Sequence, residues 1–214
     1  QELAWRDYWQ RIWIEKGDDI HTDLKNTQTP ETNHQIPAAI FNACTGIEAV
    51  DKAIKELYET GYMHNHMRMY VASICCNVAN SHWSAPAKWM YAHLLDGDLA
   101  SNHLSWQWVS GAFSNKKYYA NQENINRYFQ SKQTNTFLDL DYEQLTKIEI
   151  PSILAETVSF DSSVVLPITE RPILQKDKTT LLYNYYNLDP SWQKDEDVQC
   201  ILLLEPSIFK KYPV

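Results

Sequence analysis

The chain has 214 residues, of which 44% are hydrophobic and 21% charged, and a formal net charge of −8. That length suits one domain, or one domain with an appendage, and a core large enough to stand without disulfide staples. No apolar stretch approaches the roughly 18 residues of a membrane span, and an acidic chain does not hold nucleic acid by its overall field, so any such contact has to come from a local patch.

The four cysteines, Cys44, Cys75, Cys76 and Cys200, are irregularly spaced and include no CxxC pair. They read as reduced thiols in a cytoplasm rather than as a disulfide scaffold or a structural zinc site. Neither a metal nor a membrane is expected as a partner. The first residue is Gln1, with neither Met nor a signal-peptide pattern, so a fragment or processed product is expected. Five glycines against eight tryptophans argue against a Gly-rich phosphate loop, and neither GxGxxG nor GxxxxGKS/T occurs. The tryptophans supply large flat rings suited to packing, stacking or electron transfer.

Residues 2–16 set Trp5, Tyr8, Trp9, Ile12 and Trp13 at steps of three and four, which predicts an amphipathic helix ended by Gly17. Residues 18–37 are polar and read as a loop. Thr45 followed by Glu48 is a capping-box signature, and the helix after it turns Ile47, Val50, Ala53, Ile54 and Leu57 inward and stops at Gly61. Residues 64–80 predict a further helix with Met67, Val71, Ile74, Cys75 and Val78 on one face. Pro86 suits a first helical turn, with Trp89, Met90, His93 and Leu94 after it. Asp96-Gly97-Asp98 breaks into another helix running to about 109, and residues 121–130 add one more. The chain changes character near 150, because six of the nine prolines fall at or after 151 while all five glycines fall at or before 111. The expected division is a helical domain over 1–149 and an extended, Pro-punctuated segment over 150–214, read in part as the start of an α/β region. Within that segment Ile201–Leu204 is a short apolar run that reads as a buried strand lacking a partner.

His64 and His66 invite a metal reading, but positions i and i+2 of a helix do not face each other and HExxH is absent. Asp96-Gly97-Asp98 resembles the start of a calcium loop, yet Gln107 stands where such a loop needs Glu, and a helix cap is the simpler reading. A cap does not explain why Asn102 follows one turn later on an otherwise apolar and aromatic helix. With Arg68 and Asn65 these residues form a polar cluster among core helices, and buried polar groups need partners; a bound polar ring is one such partner. Trp83, Trp106 and Trp108 read first as core residues and second as redox groups. No nucleophile–base–acid order or GxSxG motif occurs.

Four segments together resemble the FAD-binding domain of the DNA photolyase/cryptochrome family. They are Glu2-Leu-Ala-Trp-Arg-Asp-Tyr8, Thr45-Gly46 with Asp51, Gly61-Tyr-Met-His-Asn-His-Met-Arg-Met69, and Leu95-Asp-Gly-Asp-Leu-Ala-Ser-Asn102 followed by Trp106-Gln-Trp108. Their order and spacing match over roughly residues 1–130. The resemblance implies a mostly α fold, a helical FAD-binding domain with an irregular Pro-rich C-terminal extension. It also implies a flavin that, excited by light, donates an electron to a cyclobutane pyrimidine dimer flipped out of damaged DNA.

Carried over by position, Asn102 resembles the residue facing the reactive ring nitrogen; Asn there is like photolyases, whereas plant cryptochromes carry Asp and animal-type ones usually Cys. Asp96 and Asp98, joined by Gly97, resemble the pair at the polar edge of the flavin and its sugar, with Arg68 paired to Asp96. Asn65 corresponds to a contact with both adenine and substrate, and Arg6 to one with phosphates or substrate. Glu2 corresponds to a hydrogen bond to the dimer, with Trp5 and Trp108 as apolar walls and Met69 lining the same pocket. His66 stands where photolyases commonly place an Arg on the DNA backbone, and Tyr62 replaces a common Trp. Trp106 and Trp83 match the proximal and middle members of the family's electron relay. Residues 18–42 hold no Trp for the distal member, which leaves Trp9, Trp13 or a Tyr. The family's phosphate-binding stretch, with its Tyr, and its antenna-binding domain correspond to sequence before Gln1. Three functions follow as expectations: a light-dependent DNA repair lyase, a cryptochrome-like photosensor with FAD and a protein partner, or a non-catalytic fragment without cofactor.

Overall fold

Apolar residues recur at helical steps along most of the first 130 residues, and the backbone follows them. The computed structural model describes residues 2–161, 171–184 and 197–205, with the backbone alone for Glu2. The chain divides into two compact units, Gln1–Ser162 and Ser163–Val214.

In the first unit α1 (Glu2–Lys16) gives way to a 3-10 turn, Gly17–His21, with Gly17 at φ +58°. Then come α2 (Ala38–Phe41), α3 (Glu48–Thr60) and α4 (Asn65–Ser73), the last continued by a π-helical turn, Ile74–Val78. They are followed by α5 (Ser84–His93), α6 (Leu99–Ser110), α7 (Gln122–Phe129) and α8 (Tyr142–Leu145). The fold is mostly α. Two short strands, β1 (Ile36–Pro37) and β2 (Thr157–Val158), pair antiparallel and bring residues 157–158 back onto this unit.

Met67, Tyr70, Val71 and Ile74 from α4 and its π turn meet Trp83, Trp89 and Met90 around α5, and Trp106 and Val109 of α6. Burying each such aliphatic side chain contributes roughly 1.5–3 kcal/mol. Helix α6 is buried on most of its circumference, including His103 and Gln107, because it packs against α1, α4 and α5. A helix with neighbours on so many sides has no solvent stripe, so its sequence shows little amphipathic pattern.

Three expectations are corrected. The capping box at Thr45 does not form: α3 begins at Glu48, and Asp51 Oδ1 accepts from Thr45 N at 2.8 Å and from Thr45 Oγ1 at 2.7 Å. Asp51 therefore folds the entry turn back on itself, and Glu48 N is capped from afar by Gln133 Oε1 at 2.9 Å. Helix α1 does form, but of its apolar series only Trp9 is buried, and Trp5 and Tyr8 are exposed. In the second unit β3 (Thr179–Tyr183) pairs parallel with β4 (Val198–Leu202), in register from Thr179 with Val198 to Tyr183 with Leu202. The strand at 201–204 thus does have a partner, and Leu202 and Leu203 are exposed rather than buried. A parallel partner lies across a connection of many residues, so the apolar run alone does not announce it.

Gly61 ends α3 at φ +70°, and a Cβ there would lie 2.4 Å from Leu95 Cγ. Gly17 has a similar φ but nothing within 4 Å. Gly61→Ala should lower unfolding free energy in urea by about 2 kcal/mol or more, from backbone strain plus collision, and Gly17→Ala by about 1 kcal/mol from strain alone. Equal losses would show that Leu95 yields freely.

Candidate functional site

The acidic turn between α5 and α6 is held from two sides. Asp98 caps α6 from an extended backbone, φ −115° and ψ 121°, and its Oδ1 accepts from Ser101 N at 2.8 Å. That satisfies one of the free N–H groups of the first turn. Its Oδ2 accepts from Gln10 Nε2 of α1 and lies 3.8 Å from Arg6 Nη2. Asp96 is held from α4: both of its oxygens accept from Arg68 Nη2 at 2.9 Å, while Arg68 Nε donates to Met63 O at 2.7 Å. Between the carboxylates only a glycine fits comfortably, since a Cβ on Gly97 would meet Leu94 O at 3.1 Å and the Tyr91 ring at 3.2 Å.

One turn into α6, Asn102 Nδ2 donates to Ala87 O of α5 at 2.9 Å, which fixes the amide with its nitrogen toward α5. On either side of it, Ser101 Oγ and His103 Nε2 are buried with no hydrogen-bond partner among the described residues. The His103 ring stands edge-on to His21 at 5.2 Å, Trp83 at 5.7 Å and Tyr91 at 6.2 Å. Burial, helped by the nearby charges of His21 and Lys88, lowers its pKa to about 3, so it is neutral at pH 7.

Trp106 and Trp83 are both buried. Trp83 has ring contacts with the imidazoles of His82 and His103, and its Nε1 donates to Asp23 Oδ1 at 2.6 Å. Trp9, one of the residues left for the distal relay member beside Trp13 or a Tyr, stacks with Trp5 and touches Tyr8 and Phe113. Trp5 is 52% and Trp108 38% exposed; the latter leans on Tyr118 at 5.9 Å. Asn65 opens α4 at the surface, and Met69 is half-buried against the core. Glu2 is the first residue of α1.

The expectation that His64 and His66 turn away from each other is corrected. Their rings stack at 5.4 Å and 22°, because His64 is the cap of α4 with extended backbone rather than part of the helix. His66 is also stacked on Tyr128 at 4.8 Å. Arg6, Arg68, Asp96, Asp98 and Asn102 are thus gathered around the start of α6, while Trp5 stacks on Trp9 and Trp108 lies tilted against Tyr118. Sequence reasoning missed Gln10, although it lies one turn after Arg6 on the same face of α1. It also missed Asp23 beneath Trp83, for which no local signal exists across 60 residues.

The start of α6 gathers guanidinium groups, two carboxylates and an oriented amide. Such donors suit a flat, polar, multi-ring ligand, and the combination defines a cofactor-holding helical domain. Residues 1–143 match the family described as the FAD binding domain of DNA photolyase, and the chain belongs to that family, whose cofactor is FAD. Over 115 residues it is 35% identical to the deoxyribodipyrimidine photo-lyase of Synechococcus sp., covering 52% of this chain and 24% of the relative. It is 32% identical over 165 residues to the chloroplastic/mitochondrial cryptochrome DASH of Oryza sativa subsp. japonica, covering 74% of this chain and 27% of the relative. The crystal structure of a Synechocystis sp. cryptochrome superimposes with a TM-score of 0.55 at 28% identity, over 60% of this chain and 28% of that one. The chain therefore spans about a quarter of the length of these relatives. Among the described residues no helix is long and apolar enough to cross a membrane.

Because His103 stays neutral when folded but takes a proton near pH 6.5 when unfolded, the unfolded state binds more protons as pH falls. Its contribution is intact above pH 6.5 and is lost progressively from there toward pH 3. The expected slope is about 1.4 kcal/mol per pH unit in that window, superposed on the carboxylate titrations below pH 5. Urea melts of the protein and of His103→Gln at pH 6.5 and pH 5 test it. Parallel pH dependence in the two proteins would assign the slope elsewhere.

Proposed function

We propose that this chain is the flavin-holding part of a light-driven DNA repair lyase acting on cyclobutane pyrimidine dimers. The observation that carries the reading is the start of α6, where Asp98, Asp96 with Arg68, and Asn102 are each held by a separate helix. Arg68, fixed by Met63 O and Asp96, keeps a positive charge at the ring edge, where a reduced, electron-rich flavin is stabilised. Asn102, its nitrogen tied to Ala87, presents a defined amide to the ring. Asp98, with Gly97 before it, faces the sugar and ring edge, and Arg6 and Asn65 bracket the phosphate and adenine ends. Bound FAD supplies the light-driven electron. Glu2 serves as the hydrogen-bond acceptor for the dimer, and the exposed indoles of Trp5 and Trp108 with Met69 give its apolar walls. Trp106 and Trp83 provide oxidisable rings on the buried side of the site, where water is excluded.

A second reading, a blue-light photoreceptor of the cryptochrome kind with FAD and a protein partner, is favoured by His66. A cation at that position reaches a DNA phosphate only if free, and His66 is instead stacked between His64 and Tyr128. The overall charge of −8 also opposes association with a polyanion.

The visible spectrum of the protein equilibrated with FAD, followed by a thymine-dimer oligonucleotide assay in blue light and in darkness, separates these readings. Bound flavin with light-dependent splitting supports repair; bound flavin that is photoreduced without splitting supports the photoreceptor; no bound flavin defeats both. Arg68→Ala should weaken FAD binding about fivefold to tenfold, the value of a partly exposed charge-assisted pair at roughly 1–1.4 kcal/mol. Asn102→Ala should shift the flavin's reduction potential while leaving binding within about twofold. An unchanged potential would remove Asn102 from the ring.

A further inference from the structure

The loop from Asp23 to Gln35 lies along the turn that joins the π-helical segment to α5. Thr32 N donates to Asn80 O and His82 N to Asn33 O, each at 2.8 Å, and Asn33 pairs with Ser81 as a parallel bridge. Gln28 is fully buried and locks the seam: its Nε2 donates to Ser81 O at 2.9 Å and its Oε1 accepts from Trp83 N at 3.0 Å. Residues some fifty positions apart in sequence are thereby set side by side on a rigid frame.

The seam gathers Glu31, His34 and His82, with one ligand atom of each within 4.8 Å of the others. His34 Nε2 lies 3.6 Å from Glu31 Oε1, and His82 Nε2 lies 3.9 Å from Glu31 Oε2. The same His82 Nε2 is 3.2 Å from Asp23 Oδ1. A tetrahedral ion with bonds of about 2.0–2.1 Å has donor–donor edges of about 3.3–3.4 Å; the 3.2 Å and 3.6 Å spacings are close to such edges, the 3.9 Å one is wider, and Glu31 and His34 have to swing toward Asp23 and His82 to close the shell. The adjustment falls on the more exposed arms, since the His34 and Glu31 side chains are 66% and 36% exposed while His82 and Asp23 form the fixed wall.

His82 can take the tautomer that a ligand requires. A metal-bound imidazole gives its other N–H to an oxygen, and Ser84 Oγ lies 3.0 Å from His82 Nδ1. In the Nε2–H tautomer that proton faces Asp23 Oδ1 at 3.2 Å, and Nδ1 accepts a long bond from Ser84 N at 3.3 Å. Moving the proton to Nδ1 gives up both contacts, lets Nδ1–H donate to Ser84 Oγ and frees the Nε2 lone pair. Asp23 is itself positioned before any ion arrives, by Trp83 Nε1 at 2.6 Å and Gln28 N at 2.8 Å.

We propose that Asp23, Glu31, His34 and His82 form a binding site for a divalent ion of the zinc class. Two imidazoles with two carboxylates match zinc better than magnesium or calcium, which take oxygen ligands in larger numbers. The ion ties the loop to the start of α5 and stabilises the folded state by mass action. This assignment is independent of whether the protein repairs DNA.

Calorimetric titration of the full chain with Zn²⁺ should show one equivalent bound at micromolar or tighter affinity, with a rise in melting temperature. Co²⁺ in its place should give the intense visible bands of a tetrahedral ion without thiolate charge transfer. His34→Ala and Glu31→Gln, both at the surface, should each weaken Zn²⁺ binding by about tenfold or more and leave the metal-free melting temperature unchanged. His64→Ala, at the separate stacked pair with His66, and Cys44→Ser, at an exposed thiol, should leave binding unchanged. Absence of binding up to millimolar Zn²⁺ would overturn the proposal. So would a site that survives both loop variants and is lost in His64→Ala or Cys44→Ser.

Discussion

The Asp98 carboxylate is the constraint on which the rest of the first unit turns. One of its oxygens caps α6 through Ser101 N, and the other takes Gln10 and the neighbourhood of Arg6 from α1. A helix start is thereby tied to a second helix through a single ionised group. Its negative charge sits against the positive end of the α6 dipole, where it is most stabilising. Shifting α1 by one residue would strip that oxygen of its donors, so the hydrogen bonding fixes the helix pair in rotation as well as in distance.

From that fixed origin the chemistry of α6 follows by helical arithmetic. Each step of four residues advances the chain by about 6 Å and returns it to nearly the same face. Asp98, Asn102 and Trp106 are spaced by four, which carries a carboxylate, an amide and an indole inward in succession. Arg68 adds the opposing charge from α4, and its second bond, to Met63 O, holds the guanidinium where it can serve Asp96 without swinging into solvent. The site consists of side chains from separate helices whose register each neighbour has already determined.

Much of this was legible in the residues. The helices end where glycine or an acidic cap stands, at Gly17, Gly61, Asp98 and Gly111, because those features act within one or two turns. The inward positions Val50, Ile54, Leu57, Met67 and Val71 follow from spacing alone. What escaped was set by tertiary contacts. Thr45 and Glu48 have the right types for a capping box, but Asp51 takes Thr45 N with one oxygen and Gly46 N with the other, and Gln133 takes Glu48 N. The aromatic face of α1 obeys helical spacing and still leaves Trp5 and Tyr8 exposed, since a stripe says only which side a partner belongs on. The parallel pairing of β3 with β4 and the bond between Asp23 and Trp83 depend on chain crossings that no local pattern encodes.

Trp83 shows how such non-local contacts tune a residue whose type alone is ambiguous. On one side its indole N–H meets the Asp23 carboxylate; on another its ring meets His103, which burial keeps uncharged at neutral pH. A negative charge at the N–H and a neutral ring at the edge together favour an electron-deficient indole over what the bare side chain would tolerate. A protonated His103 would have imposed the opposite field at 5.7 Å. The same Asp23 holds His82, so the electrostatics of the buried indole and the geometry of the surface seam are set by one group. Any cation bound at the seam would withdraw part of that negative field from Trp83, coupling the two regions through a carboxylate rather than through a change of fold.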